Sequence, residues 1–138
     1  MIKIFVFDTN ILISANLSPG SINRKAYDHA REIGIPVYSN STLAEFAETL
    51  LRTKFDKYIS IEKRLEAIAA YEKRGQLIGV SVNIDLCRYP KDNKFLELAY
   101  EAGAACIVTG DKDLLVLNPF QDIPILTSAE FLKMFEDY

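Results

Sequence analysis

The sequence predicts an α/β domain, with a central parallel β-sheet of about four to five strands flanked by helices on both faces. Two observations carry this. Short apolar β-type runs alternate along the chain with stretches whose apolar residues recur at helical spacing, the pattern of a parallel sheet with helical crossovers. The second is scale. A chain of 138 residues, 49% hydrophobic and 25% charged, suits one folded domain with its own core and excludes a disordered or membrane-embedded chain.

The elements follow in order. IKIFVFD, residues 2–8, reads as a buried strand, NILISAN (10–16) as a short helical turn, and INRKAYDHAREIG (22–34) as a helix closed by Gly34. PVYSN (36–40) is a second short strand. STLAEFAETLLRTKF (41–55) places Leu43, Phe46, Ala47, Leu50 and Leu51 at helical spacing, and SIEKRLEAIAAYEKRG (60–75) repeats that period up to Gly75. LIGVSV (77–82) is a third strand, followed by the polar loop NIDLCRYPKD (83–92) and the helix NKFLELAYEAG (93–103). Strand AACIVTG (104–110), helical turn DKDLLVL (111–117), strand IPILT (123–127) and helix SAEFLKMFEDY (128–138) complete the chain.

Composition narrows the chemistry. The N-terminus lacks the long apolar core and small-residue cleavage site of a secretory signal, and no apolar run is long enough to span a bilayer. With only two cysteines, Cys87 and Cys106, the expectation is a cytoplasmic protein in a reducing compartment, with Cys106 packed as a small hydrophobe. A single histidine, His29, in the polar helical stretch AYDHARE reads as solvated or lightly packed, and it excludes sites built on several imidazoles. Carboxylates remain the main candidates.

Asp8 stands inside an apolar run, where an unpaired charge costs several kcal/mol in practice. Parallel strands point the same way and bind ligands beyond their carboxyl ends, so residues just after a strand share one edge. Asp8 follows strand one, Glu45 opens the helix after strand two, Asp92 ends the loop after strand three, and Asp111 and Asp113 follow strand four. Taken singly, each has an ordinary explanation. Asp8 and Asp92 fit N-caps, Glu45 fits the third position of a capping box begun by Thr42, and TGDKDLL fits a polar turn opening a helix. Position in the first turn favours Glu45 over Glu48. Taken together, acids at four such places predict a convergent carboxylate cluster, which is unfavourable unless protonated or neutralised by a hard divalent cation such as Mg2+ or Mn2+.

FVFDTNILISA (5–15), LAEFAETLLRTKF (43–55) and DNKFLELAYEAGAACIVTGDKDLL (92–115) resemble the PIN-domain ribonucleases, in particular the VapC-related toxin components of toxin-antitoxin pairs. The resemblance spans nearly the whole chain and implies a single PIN-like nuclease domain over residues 1–138. It also implies an acidic site, dependent on Mg2+ or Mn2+, that hydrolyses phosphodiesters in RNA. By that resemblance Asp8, Glu45, Asp92 and Asp111 are the catalytic and metal-binding acids, with Thr9, Asn10, Thr109 and Asp113 in support. Asp8 and Asp111 anchor a principal ion, Asp92 helps directly or through water, and Glu45 joins a second ion or orients the attacking water. The implied partners are an RNA substrate, a small protein antitoxin and a second copy of the chain.

The charge balance is compatible with RNA. The chain has 16 basic and 19 acidic residues, and setting the four site acids aside leaves 15 acids against the same 16 bases. Arg52, Lys54 and Lys57 follow the Glu45 helix, and Arg88, Lys91 and Lys94 flank Asp92, as phosphate contacts or as solvated surface charge. Tyr89 and Phe55 can stack on bases or pack at the rim. Phe131, Leu132 and Phe135 suit an interaction surface or, more simply, packing on the sheet.

Three other readings compete. An aspartyl-phosphate phosphatase needs a D-x-D where this chain has D-T-N, and a Toprim-like enzyme leaves Asp8 and Asp92 idle. The third is a module that binds RNA or protein without cleaving.

Overall fold

The computed structural model describes residues 2–138. Five strands, β1 (Lys3–Phe7), β2 (Gly34–Tyr38), β3 (Gln76–Leu77), β4 (Cys106–Val108) and β5 (Ile125–Leu126), form one all-parallel sheet in the order β3-β2-β1-β4-β5. Helices α1 (Thr9–Leu17), α2 (Ile22–Ile33), α3 (Asn40–Leu50), α4 (Ile61–Arg74), α5 (Asn93–Ala102), α6 (Lys112–Leu115) and α7 (Ser128–Met134) connect them. The predicted α/β class, parallel sheet and helical crossovers are all present. No helix among the described residues is long and apolar enough to cross a membrane.

Strand alternation builds two cores. Phe5 and Phe7 point to one face, where they pack with residues of α1, α2, α3, α4 and α7, while Val6, Val37, Ile107 and Ile125 point to the other, under α5 and α6. Phe131 and Phe135 stand edge-on to Phe5 at 5.3 and 5.4 Å between ring centroids and Leu132 packs against the same cluster, so these three residues serve the core, not a free surface. Cys106 is fully buried, as expected of a small hydrophobe. His29 is lightly packed, with Nε2 2.8 Å from the Phe135 carbonyl.

Two boundaries depart from the prediction. The apolar run predicts a third strand over residues 77–82, but the ladder ends at Leu77. The Ile78 amide still donates to the Tyr38 carbonyl, and farther on side chains of α5 take backbone N–H groups: Ser81 and Val82 donate to Glu101, Ile84 to Glu97, and Leu86 and Cys87 to Asn93. The segment is thus tied to a helix instead of extending a sheet edge. The second difference is at α3, which starts at Asn40 because Ser39 and Thr42 form a reciprocal capping pair. Glu45 is therefore its sixth residue and not its third.

Gly34 joins α2 to β2 directly. Its backbone is extended, so the need for glycine is steric: a Cβ there would lie 2.2 Å from the Lys3 carbonyl oxygen, across the β1–β2 pairing. Gly34→Ala is expected to destabilise the domain by about 1–3 kcal/mol through forced strand separation, read as a lower urea midpoint at unchanged m-value.

Candidate active site

The strand order reverses between β1 and β4, since β2 and β3 lie on one side of β1 and β4 and β5 on the other. Ligands of open α/β sheets bind at such a point, beyond the carboxyl ends of the strands. The Asp8 amide donates to the Val108 carbonyl (2.9 Å), carrying the ladder one residue past β1, and Asp8 then caps α1 by accepting from the Asn10 amide (3.3 Å). Thr109, fully buried at the end of β4, donates its hydroxyl to Asp8 Oδ2 (2.6 Å) and accepts from the Asp111 amide (3.0 Å). Asp111 in turn caps α6 through the Asp113 amide (2.9 Å). Capping and clustering are therefore compatible for these two acids.

Asp92 behaves differently. A short 3-10 turn, Pro90–Asp92, runs straight into α5, so Asp92 already has helical backbone angles and makes no capping bond. The expected N-cap is absent, and the carboxylate faces the cleft instead. Glu45 reaches the same place from the second turn of α3: the Thr9 hydroxyl donates to Oε2, and Lys94 Nζ lies 2.8 Å from Oε1. Glu48 is exposed and takes no part.

All four predicted acids, with Thr9, Asn10 and Asp113, line one cleft of about 270 Å3, and Thr109 braces it from below. Arg52, Tyr89 and Lys91 complete the wall, whereas Lys54, Lys57, Arg88 and Phe55 lie outside it. Lys94, proposed from sequence as a phosphate contact, is instead the counter-ion of Glu45. Thr49 also lines the cleft. It escaped the sequence reading, although its place four residues after Glu45 on one helix was a usable signal.

The electrostatics divide the acids into two kinds. Burial pushes the Asp8 carboxyl above its ordinary value; the bonds from Thr109 and Asn10 oppose this, and the charges of Asp92 and Asp111 add to it. Asp92 is also raised, by burial and then by Asp111, with Lys91 opposing. For Glu45 burial acts upward, but the bonds from Lys94 and Thr9 and the charges of Lys94 and Lys91 outweigh it and hold the group below its ordinary value. Among the described residues no three acids are drawn together closely enough to grip an ion as they stand, and Asp8 and Glu45 are each bonded to partners of their own. The donor set nevertheless fits a hard divalent cation: it is all oxygen, and the charges of other acids raise both Asp8 and Asp92.

Residues 5–113 match the model of the PIN domain. The chain belongs to the PIN-domain family. PIN domains are a family of nucleases. An uncharacterized protein of Methanocaldococcus jannaschii, MJ1680, is 36% identical over 143 residues, covering 96% of this chain and 92% of that protein. Among solved structures, PAE2754 of Pyrobaculum aerophilum superposes with a TM-score of 0.63 at 12% identity, over 99% of this PIN domain and 91% of that chain. VapBC2 of Rickettsia felis, solved bound to a DNA fragment from its promoter, gives 0.60 at 14% identity, over 88% and 96%. At such identities the two structures speak for the fold.

The two kinds of acid predict opposite pH behaviour in chelator. Asp92, raised in the folded state, opposes folding once ionised, and that cost vanishes as pH falls to its ordinary value of 3.8. Asp92→Asn should therefore melt above the parent at pH 7, with the difference closing toward pH 3.8. Glu45, lowered in the folded state, contributes stability that is present above its ordinary 4.5 and lost as pH falls through its folded value. Glu45→Gln should melt below the parent at pH 7. Thermal melts from pH 3 to 7 check both signs.

Proposed function

We propose that this PIN domain is a metal-dependent endoribonuclease that hydrolyses RNA phosphodiesters in the acidic cleft, and that it is the toxin of a toxin-antitoxin pair acting in the cytoplasm. The observation that carries the reading is the joint one: Asp8, Glu45, Asp92 and Asp111, from four separate segments, line one cleft at the switch point of the sheet. Asp8 and Asp111 are assigned to a principal Mg2+ or Mn2+, with Asp92 helping directly or through water and Glu45 joining a second ion or orienting the attacking water. The ion, when bound, supplies the Lewis-acid charge that activates water and offsets negative charge on the phosphoryl oxygens.

The chain's own groups do the positioning. The Thr109 hydroxyl and the Asn10 amide each hold one oxygen of Asp8 in place, and Thr9 and Lys94 do the same for Glu45. Because Lys94 keeps Glu45 ionised, Glu45 serves as a hydrogen-bond acceptor for water. Arg52 and Lys91, at the cleft wall, are placed to meet phosphate oxygens, and Tyr89, half exposed beside them, offers a face to a base. No protein nucleophile is required. The sharing of one cleft by Asp8, Asp92 and Asp111 favours this reading over a Toprim-like one, which leaves two of them unused.

Asp8→Asn and Asp111→Asn should each lower Mg2+- or Mn2+-dependent cleavage of labelled RNA by more than about 100-fold while the chain stays folded, because an amide is a neutral, weaker ligand of similar size. The metal-induced rise in melting temperature should be larger in the parent than in either variant. Full cleavage by a folded, nuclease-free Asp8→Asn preparation, or equal metal shifts in all three proteins, would remove the site.

The antitoxin partner rests on the family resemblance and on the solved Rickettsia felis neighbour being a VapBC2 assembly. Expression should arrest growth, and co-expression of a neighbouring gene's small product should relieve it. Self-association is carried by the resemblance alone, and a monomer mass by light scattering at every concentration removes it.

A further inference from the structure

A second concavity, of about 340 Å3, lies between α1, α2 and α4 and shares no residue with the acidic cleft. Four cations border it: Arg24 and Arg31 from α2, Lys63 and Arg74 from α4. Against them stand Glu66, on the same wall, and Asp28, which holds Arg24 at 3.1 Å and reaches Arg31 only at 4.0 Å. Lys63 and Arg74 form no ion pair among the described residues. The groove therefore carries an excess of positive charge, in a chain whose formal net charge is -3.

The second observation is independent of that charge. Tyr27 also lines the groove and is 8% exposed, its ring edge-on to Phe7 at 5.6 Å, with the guanidinium groups of Arg24 and Arg31 5.9 and 5.8 Å from its centre. Its hydroxyl has no hydrogen-bond partner among the described residues, whereas the other two buried tyrosines, Tyr38 and Tyr71, both donate to backbone carbonyls. No buried side-chain polar atom among the described residues lacks a partner, so this hydroxyl opens into the groove, where it can donate to a bound acceptor. Guanidinium groups converging on such a donor suit a phosphate oxygen.

Position supplies the source of that phosphate. Thr9, Leu12 and Asn16 follow one another at i, i+3 and i+7 along one face of α1. Thr9 lines the acidic cleft, and Leu12 and Asn16 line the groove. At 1.5 Å per residue, the seven steps from Thr9 to Asn16 span about 10 Å. We propose that the groove formed by Arg31, Lys63, Arg74 and Tyr27 is a second phosphate subsite, which grips the backbone of the same RNA strand a short distance from the bond held in the acidic cleft. This rests on the reading of the cleft as an RNA site.

The test measures binding without cleavage, by fluorescence anisotropy of a short labelled single-stranded RNA on the full-length Asp8→Asn chain through a salt series. Adding Lys63→Gln and Arg74→Gln together should weaken binding by roughly 10-fold or more and flatten the slope of log K against log salt by about 0.7 for each phosphate no longer neutralised. Tyr27→Phe, which keeps the packed ring, should weaken binding by roughly 2- to 10-fold with the slope unchanged. On an uncharged methylphosphonate strand of the same sequence, the Lys63→Gln and Arg74→Gln pair should no longer matter. Unchanged affinity and slope in the double variant, with melting temperatures equal to the parent's, would overturn the subsite. So would loss of binding to a polyglutamate peptide alone, which would make the groove a site for an acidic protein segment. Absence of RNA cleavage by the wild type would instead overturn the nuclease reading, and the anisotropy result does not depend on it.

Discussion

The hydrogen bond from Thr109 to Asp8 joins the two strands between which the strand order reverses, and the rest of the site is arranged around it. Asp8 is 5% exposed, a position that a carboxylate occupies at a cost unless its oxygens are satisfied. One oxygen takes the Thr109 hydroxyl and the other the Asn10 amide. The same Thr109 oxygen accepts the Asp111 amide, so one buried hydroxyl sets the orientation of the first acid and the start of the turn that carries the last. A valine would fill the same space, but it would leave Asp8 short of a donor and the Asp111 amide short of an acceptor.

Around this pair the cleft is electrostatically uneven. Asp8 and Asp92 stand in the field of other carboxylates, whereas Glu45 is matched by Lys94 from α5. On the side carrying Asp8, Asp92 and Asp111 repulsion among acids therefore persists, opposed at Asp92 by Lys91, whereas Glu45 is paired directly with a lysine. Any cation entering the cleft meets these two environments at once, which gives a physical basis for assigning them different roles. The basic wall is also held from beneath. Arg64, 1% exposed, donates to the carbonyls of Leu50 and Arg52 and pairs with Asp56, so it ties down the end of α3 at the point from which Arg52 enters the cleft.

The loop before α5 shows how an irregular segment can present an acid to a cleft. Asn93, almost fully buried, accepts from the Leu86 and Cys87 amides, and the Asp92 amide donates to the Tyr89 carbonyl. Two successive residues thereby divide the labour: Asn93 anchors the incoming chain, and Asp92 is left free to face the cleft. An Asp at a helix start usually commits its carboxylate to the backbone. Here the preceding 3-10 turn removes that need.

Local pattern was enough to place the alternation of elements and the acids that follow the strands. Periodicity and burial are local properties, and a parallel sheet with helical crossovers has few ways to satisfy them. Gly34 as the end of α2, the packed Cys106 and the position of Asp8, Glu45, Asp92 and Asp111 on one edge were all legible on that basis. Particular hydrogen-bond partners, most of them distant in the chain, settled the rest. The third strand stops at Leu77 because α5 side chains capture the following amides, and α3 starts early because Ser39 and Thr42 cap each other before the Thr42 to Glu45 pattern can. Lys94 became the partner of Glu45, and Tyr27 was left with a free hydroxyl, through contacts between helices whose spacing no single-segment pattern encodes. Charge and periodicity are written along the chain, but which charge meets which depends on strand order and helix packing, and those exist only once the chain has folded.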